Sequence, residues 1–155
     1  LRQYRANDLC YFAALNTDPE VRMHVGGPLS QTRISEYLAT FTSNSPAAEL
    51  HAWAIETTDG LRYVGHTWLL RGRARYQPEV GVIISRAHWN NGYATAAVME
   101  ICRFAQYELD CPRIFATVDI DNPRSKSMLH RAGFEYLCSE HDEDGEFHVY
   151  VRNDA

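Results

Sequence analysis

A short run of small and polar residues joins a strand-like segment to a helix-like segment near the middle of the chain. The strand-like segment is Glu79–Ile84, and the run reads Trp89-Asn90-Asn91-Gly92-Tyr93-Ala94-Thr95. Apolar residues then recur at close to a helical period as far as Leu109. This order predicts a strand, a tight turn and a helix, and such a helix begins with backbone N–H groups that have no partner inside it.

The same turn has the composition of an anion-binding site. The N–H groups at the start of a helix point in one direction, and the helix dipole adds partial positive charge there. Gly92 and Ala94 let a phosphate reach the backbone because neither carries a bulky side chain. The turn, Asn90 to Thr95, is therefore predicted to bind a phosphate group. The alternative is that Gly92 serves only to make the turn.

The remaining signals predict one mixed α/β domain over residues 1–155. Strand–helix–strand from Glu79 to Ile120 implies a parallel pair with a crossover helix, and turn signals at Asp59-Gly60 and Asp144-Gly145 imply antiparallel hairpins. Strands are predicted over 51–57, 62–70, 79–85, 113–120, 134–139 and 146–152, with one more strand ahead of the early helices. Further helix starts are predicted at Asn7-Asp8, Asp18-Pro19-Glu20, Ser30 and Asn122-Pro123.

Charge and cysteine content exclude several classes of function. The formal net charge of −5 argues against nucleic acid as the main partner, because binding phosphates needs clustered Lys and Arg. An acidic surface favours a cationic substrate. No apolar run approaches the roughly 20 residues that span a bilayer, and no signal peptide is evident. Cys10, Cys102, Cys111 and Cys138 fit no zinc spacing, so no metal site is predicted and a reducing, cytoplasmic location is expected.

A second block of residues completes a pattern that the turn begins. It reads Asp121-Asn122-Pro123-Arg124-Ser125, followed by Leu129-His130-Arg131-Ala132-Gly133-Phe134. The turn is close to W-G-K-G-Y-A-T, and this block is close to D-N-x-x-S … L-x-x-x-G-F. Together they resemble the GNAT acetyltransferase superfamily, most closely its RimJ/RimL-like branch of N-acetyltransferases. The resemblance implies the GNAT fold, a mixed sheet of about seven strands with a splayed parallel pair and about four helices.

The resemblance also implies a cofactor site. Acetyl-CoA, as co-substrate, would bind where the strands at 79–85 and 113–120 splay apart. Its diphosphate would rest on the N–H groups of the turn, and its pantetheine arm would pair with the main chain of the first strand and meet the start of the last helix. The residues so implied are Val82, Ile83, Ile84, Asn90, Asn91, Gly92, Tyr93, Ala94, Thr95, Asn122 and Ser125.

The chemistry that the resemblance implies is attack of a neutral amine on the thioester. It needs a base for the ammonium and a hydrogen-bond donor for the carbonyl oxygen. The N–H of Ile83 or Ile84 is the implied donor. Glu79 is the candidate base, with Asp119 and Asp121 as competitors. His66 and His88 are near the right strands, but a structural or surface role is favoured for both.

Three positions depart from the usual superfamily pattern. Leu129 occupies the place, four residues before the glycine of the G-F pair, where many members have a tyrosine that protonates the leaving thiolate. Ser125 is predicted to hydrogen-bond the sulfur instead. Trp89 stands where Arg or Gln is common, and Asn91 stands where Lys is common. These departures remove positive charge from the turn.

The acceptor is predicted to be a primary amine, first of all the N-terminal α-amine of a protein, as in acetylation of ribosomal proteins. A polyamine, amino sugar or aminoglycoside is the alternative acceptor. The sequence is also compatible with a homodimer. A non-catalytic module that senses CoA is the alternative from another class. A Rossmann dinucleotide protein is disfavoured because the turn lacks G-x-G-x-x-G spacing.

Overall fold

The structure is a computed structural model that describes residues 1–42, 50–60, 62–70, 76–143 and 145–153. The predicted hairpin turn at Asp144-Gly145 falls partly outside these residues, because Asp144 is not among them. Four helices and six strands are found in the part described. In chain order they are α1 Leu9–Thr17, α2 Gln31–Thr42, β1 Leu50–Glu56, β2 Tyr63–Leu70, β3 Glu79–Ile84, α3 Tyr93–Leu109, β4 Arg113–Asp119, α4 Pro123–Arg131, β5 Glu135–Asp142 and β6 Gly145–Asn153.

The strands form a mixed sheet in the order β1-β2-β3-β4-β6-β5. β3 and β4 run parallel, and every other neighbouring pair is antiparallel. The parallel pair is in register only at Glu79 and Phe115, near the start of each strand. Beyond that point the two strands diverge, so the predicted mixed fold with a splayed parallel pair is confirmed.

The sheet described has six strands, where about seven were predicted. The extra strand was expected at the start of the chain, but Arg2 and Ala54 form only an isolated bridge. The chain then forms a short 3₁₀ turn at Ala6–Asp8. The buried Asp8 carboxylate favours this turn, because it accepts hydrogen bonds from the Arg2 guanidinium and the Arg5 N–H at 2.7 and 2.8 Å.

The helix predicted at Asp18-Pro19-Glu20 does not form. Residues 18–28 make a series of turns that leads from α1 to α2, and we call this segment the α1–α2 loop. Asp18 Oδ1 accepts from the Glu20 N–H at 2.9 Å, as a helix cap would. Any helix beginning here would have to end before Gly26 and Gly27, which both have left-handed φ angles. The Arg22 side chain instead donates to the Gly27 carbonyl and holds the loop closed.

The main core lies between the sheet and α3. The predicted apolar stripe of this helix is confirmed: Val98, Ile101 and Ala105 are fully buried, and Ala94 and Leu109 are partly buried against the same core. Strand residues such as Val80 and Ile114, together with the α4 residues Met128 and Leu129, complete this layer. The opposite face of β1 and β2 is covered by α1 and α2 through a second core, which contains Tyr4, Phe12, Ile34, Leu38 and Ala54. Among the described residues, no helix is both long and apolar enough to cross a bilayer.

The β2–β3 pairing depends on a glycine. Gly81 pairs with Trp68, and a Cβ atom on Gly81 would lie 2.0 Å from the Trp68 ring. We therefore expect Gly81→Ala to lower the free energy of unfolding by about 1–3 kcal/mol, because the ring or the strand must shift. Urea denaturation measures this value. The control is the double variant Gly81→Ala/Trp68→Leu, in which the penalty should shrink; an unchanged penalty would contradict the steric explanation.

Candidate active site

A cleft of about 450 Å³ opens where β3 and β4 part. The end of β3 forms one wall, the beginnings of α3 and α4 form the floor, and the α1–α2 loop forms the rim. Of the residues predicted to bind the co-substrate, all line this cleft except Asn91; they are Val82, Ile83, Ile84, Asn90, Gly92, Tyr93, Ala94, Thr95, Asn122 and Ser125.

The start of α3 presents backbone N–H groups to the cleft. Gly92, at its N-cap, has φ 81°, and among the described residues no side chain caps the helix. Helix geometry leaves the N–H groups of Tyr93, Ala94 and Thr95 without partners inside the helix. Asn91 does not line the cleft. Its side-chain N–H donates to the Trp89 carbonyl at 3.0 Å. An anion placed here would meet unpaired N–H groups and the positive end of the helix dipole.

Trp89, which stands where a charged residue is common, has two contacts that hold the turn in place. Its indole N–H donates to the Ile84 carbonyl at 2.7 Å, which ties the turn to the end of β3. The Arg124 guanidinium lies over the same ring, 4.5 Å from its centre. Arg124 and Arg131 both line the cleft and bring positive charge to it. We did not predict either arginine, although both lie inside the second sequence block.

The start of α4 faces the same cleft. Asn122 caps this helix by accepting from the Ser125 N–H at 3.1 Å. The Ser125 side chain lines the cleft, and its hydroxyl makes no hydrogen bond within the described residues. Leu129, in the place of the usual tyrosine, is buried in the main core. Its apolar side chain packs there and offers no acid for the chemistry.

Glu79 lies away from the cleft. It begins β3, four residues before Ile83, which is about 13 Å along an extended strand. Its carboxylate accepts from the Thr117 hydroxyl at 2.6 Å. Burial raises the pKa of Glu79, and the hydrogen bonds from Thr117 partly offset the effect. Of the two residues predicted for catalysis, only Ser125 is therefore in the cleft.

The α1–α2 loop is fixed over the mouth of the cleft. Arg86, which follows β3, binds Asp18 at 3.0 Å and Glu20 at 2.6 Å. Val21, Met23, His24 and Val25 line the cleft from this loop, and the Met23 side chain is 62% exposed. The loop thus gives the mouth an apolar rim.

His24 is the one histidine of this rim, and it contacts the end of β4. Its Nδ1 lies 2.9 Å from Asp119 Oδ2. The Asp121 N–H, and after it the His24 ring, lower the pKa of Asp119, so this carboxylate stays ionised. Asp121 is exposed, and neither carboxylate is among the cleft residues; Asp119 reaches the cleft only through its contact with His24. We did not predict a role for His24, because nothing near it in sequence indicates its partner on a distant strand.

The two histidines weighed from the sequence occupy different environments. His88 lines the cleft, and its Nδ1 lies 2.8 Å from the Ser85 hydroxyl. His66 is not a cleft residue and packs among the rings of Tyr4, Phe12 and Trp68. The structural role expected for His66 agrees with this position.

Comparison with known proteins identifies the architecture. Residues 1–135 match the family model described as an acetyltransferase (GNAT) domain. The N-acetyltransferase YoaA of Bacillus subtilis (strain 168) is 30% identical over 87 residues, which cover 54% of this chain and 48% of YoaA.

Two solved structures share the fold at low sequence identity. One is an acetyltransferase from Agrobacterium tumefaciens str. C58, with a TM-score of 0.85, 21% identity, and coverage of 99% of this chain and 90% of the other. The second is the spermidine N-acetyltransferase from Vibrio cholerae in complex with CoA and spermine, with a TM-score of 0.83 and 16% identity. The match covers 99% of this chain and 94% of the other.

Proposed function

Because the chain belongs to the GNAT acetyltransferase family and uses acetyl-CoA as its acetyl donor, we propose that it acetylates a primary amine, first of all the N-terminal α-amine of a protein. The observation that carries the proposal is the cleft between the splayed strands, with the N–H groups of α3 at its floor. The apolar rim formed by Val21, Met23 and Val25 supports a peptide acceptor, since it can cover the first side chains of an N-terminus. A cytoplasmic location is part of this proposal, in keeping with the four free thiols of the described chain.

The cleft residues fit the parts of acetyl-CoA. The unpaired N–H groups of Tyr93 to Thr95 would hold the diphosphate. Acetyl-CoA supplies the activated acetyl group as a thioester. The N–H of Ile84, which points away from β2, would donate to the carbonyl oxygen as negative charge develops there. The Ile83 N–H points to β2 and is not available. The free hydroxyl of Ser125 would donate a hydrogen bond to the departing sulfur.

A small-molecule amine is the second candidate acceptor, and a specific observation favours it. The net charge is −5, and the ionised Asp119 carboxylate, which contacts His24 of the rim, brings negative charge close to the mouth. A polyamine carries several ammonium groups, which such a surface attracts. The structural similarity to a spermidine N-acetyltransferase points to the same class.

Thiol release from acetyl-CoA separates the candidates. The panel consists of a peptide with a free N-terminus, the same peptide blocked by acetylation, spermidine, glucosamine and kanamycin. We expect turnover with the free peptide and none with the blocked one, with mass spectrometry locating the acetyl group. Turnover on spermidine alone would assign the polyamine class instead. CoA binding by calorimetry without turnover on any amine would favour a sensor and contradict the proposal.

Arg124 is expected to contribute to CoA binding. Arg124→Ala should weaken the affinity for CoA about 5–10-fold, because a guanidinium beside a diphosphate forms charge-assisted hydrogen bonds. Calorimetric titration with CoA measures the change. The matched control is Arg103→Ala, which removes an exposed arginine of α3 that pairs with Glu100. Equal losses in both variants would mean that only overall charge matters.

A further inference from the structure

The parallel register places two residues at the same height on the two strands that part to form the cleft. Glu79 and Phe115 are paired where β3 and β4 still touch. Ile83 and Asp119 each lie four residues further on, so they face each other across the gap that opens between the strands. The next residue, Ile84, directs its N–H towards this gap, because the Ser85 N–H donates to Val64 on β2 and N–H directions alternate along a strand. This N–H is the one that would meet the acetyl carbonyl. Asp119 is therefore level with the place where the reacting amine must arrive.

His24 occupies this gap from the α1–α2 loop. Its Nδ1 is 2.9 Å from Asp119 Oδ2. An ionised carboxylate can only accept, so Nδ1 carries the hydrogen and the neutral ring keeps its lone pair on Nε2. Within the described residues Nε2 has no hydrogen-bond partner. The ring is half-buried and lines the cleft.

We propose that His24 is the general base that removes a proton from the acceptor ammonium, and that Asp119 is the residue that positions it. This inference rests on the proposed function. The Nε2 lone pair takes one proton from R–NH₃⁺, and the freed amine lone pair forms the C–N bond at the carbonyl carbon. The C–S bond then breaks, and the sulfur leaves with its electron pair and takes a second proton from the nitrogen. The imidazolium returns the first proton to solvent, so the products are the amide, CoA thiol and one proton.

The surroundings of His24 suit this role. Asp119, from β4, is its direct partner, and Lys126, from α4, acts on the same carboxylate through its charge. Glu20, on the loop itself, is paired with Arg86 and is not available to the ring. Glu79, the candidate from the sequence, lies about 13 Å further back along β3. His24 is thus the better-placed of the two bases.

Asparagine provides a sharp test of the base. In His24→Asn the side-chain amide can still donate to Asp119, so the anchor of the loop is kept while the basic nitrogen is lost. With spermidine or the free peptide as acceptor, whichever wild type acetylates, we expect kcat to fall about 100-fold. The affinity for acetyl-CoA should change less than twofold. His130→Asn, which alters an exposed histidine outside the cleft, should leave kcat within twofold of wild type.

Two further measurements separate catalysis from structure. Added imidazole should restore part of the kcat of His24→Ala, with acetylated acceptor measured by mass spectrometry. Asp119→Asn should lower kcat about 10-fold in the wild-type background and have little further effect in His24→Asn, because it acts through the histidine. Equal losses from Asp119→Asn in both backgrounds would overturn the positioning role.

The outcomes distinguish this inference from the proposed function. If wild type acetylates an amine and His24→Asn keeps kcat within threefold, the base is elsewhere and the function stands. A 100-fold loss in Glu79→Gln with no loss in His24→Asn would assign the base to Glu79. If wild type acetylates no amine of the panel, the proposed function fails, and the role of His24 fails with it.

Discussion

Replacing Gly92 with aspartate is expected to weaken the affinity for CoA about 100-fold and to leave the free energy of unfolding within about 2 kcal/mol of wild type. Gly92 stands at the N-cap of α3, and the space around its missing side chain is open. A carboxylate there would occupy the place predicted for the diphosphate. Two like charges about 7 Å apart repel by about 2–3 kcal/mol at an effective dielectric constant near 20, which corresponds to about 100-fold.

The fold should tolerate this change, because two effects on stability oppose each other. The left-handed φ of 81° at Gly92 strains any residue with a Cβ by about 1–2 kcal/mol. A negative charge at the start of a helix recovers about 0.3–1 kcal/mol of that through the helix dipole. Urea denaturation of the variant checks this balance separately from binding.

The control is Gly92→Asn, which has almost the same size and strain but no charge. We expect a loss of affinity below 10-fold for this variant by calorimetry with CoA. Raising the salt concentration should narrow the gap between the two variants, since screening weakens charge repulsion. If both variants bind CoA as wild type does, the diphosphate does not rest at the start of α3.

The parts of the fold that sequence predicted are those governed by neighbours along the chain. The β3–turn–α3 unit follows from Gly92 and an apolar stripe at helical spacing, and Asn122 is both the expected and the observed cap of α4. The start of α2 was predicted from Ser30, whose hydroxyl accepts from the Arg33 N–H at 3.3 Å. Each of these signals lies within a few residues of the structure that it determines.

The features that sequence analysis missed depend on partners far away in the chain. His24 and Asp119 are separated by 95 positions, and only the splay of β3 from β4 brings the loop histidine to that strand end. Arg124, at the start of α4, is held in place by lying over Trp89, which belongs to the turn before α3. At Asp18 a valid cap signal was present, but the glycines and the Arg22 side chain further along the chain closed a loop instead.

His66 is expected to lower the stability of the folded protein in acid, and a single substitution should remove this effect. The ring is 4% exposed, and neither of its nitrogens has a hydrogen-bond partner among the described residues. Burial, followed by the positive charge of Arg22, lowers the pKa of His66 to about 3. The unfolded chain, with a histidine pKa of about 6.5, takes up a proton below that pH, while the folded protein cannot. Stability is therefore complete above about pH 6.5 and falls as the pH drops from there towards 3.

The size of the effect follows from the two pKa values of His66. Each pKa unit is worth about 1.36 kcal/mol, so this residue alone should remove about 2 kcal/mol between pH 7.5 and pH 5. We expect His66→Leu to lack this loss and to be at least as stable as wild type at pH 5, since it replaces an unpartnered polar group with an apolar one. Urea denaturation at the two pH values measures the difference for each protein. The half-buried Glu79, whose pKa is raised, titrates in both proteins and cancels from the comparison.

An exposed histidine provides the control for this pH dependence. His130→Leu should lose stability between pH 7.5 and pH 5 as wild type does, because this variant keeps His66 in its buried position. Equal pH dependence in wild type and His66→Leu would mean that the His66 ring takes up a proton in the folded protein as readily as in the unfolded chain. The expected result would show that an aromatic cluster over β2 holds a neutral histidine at the expense of acid stability.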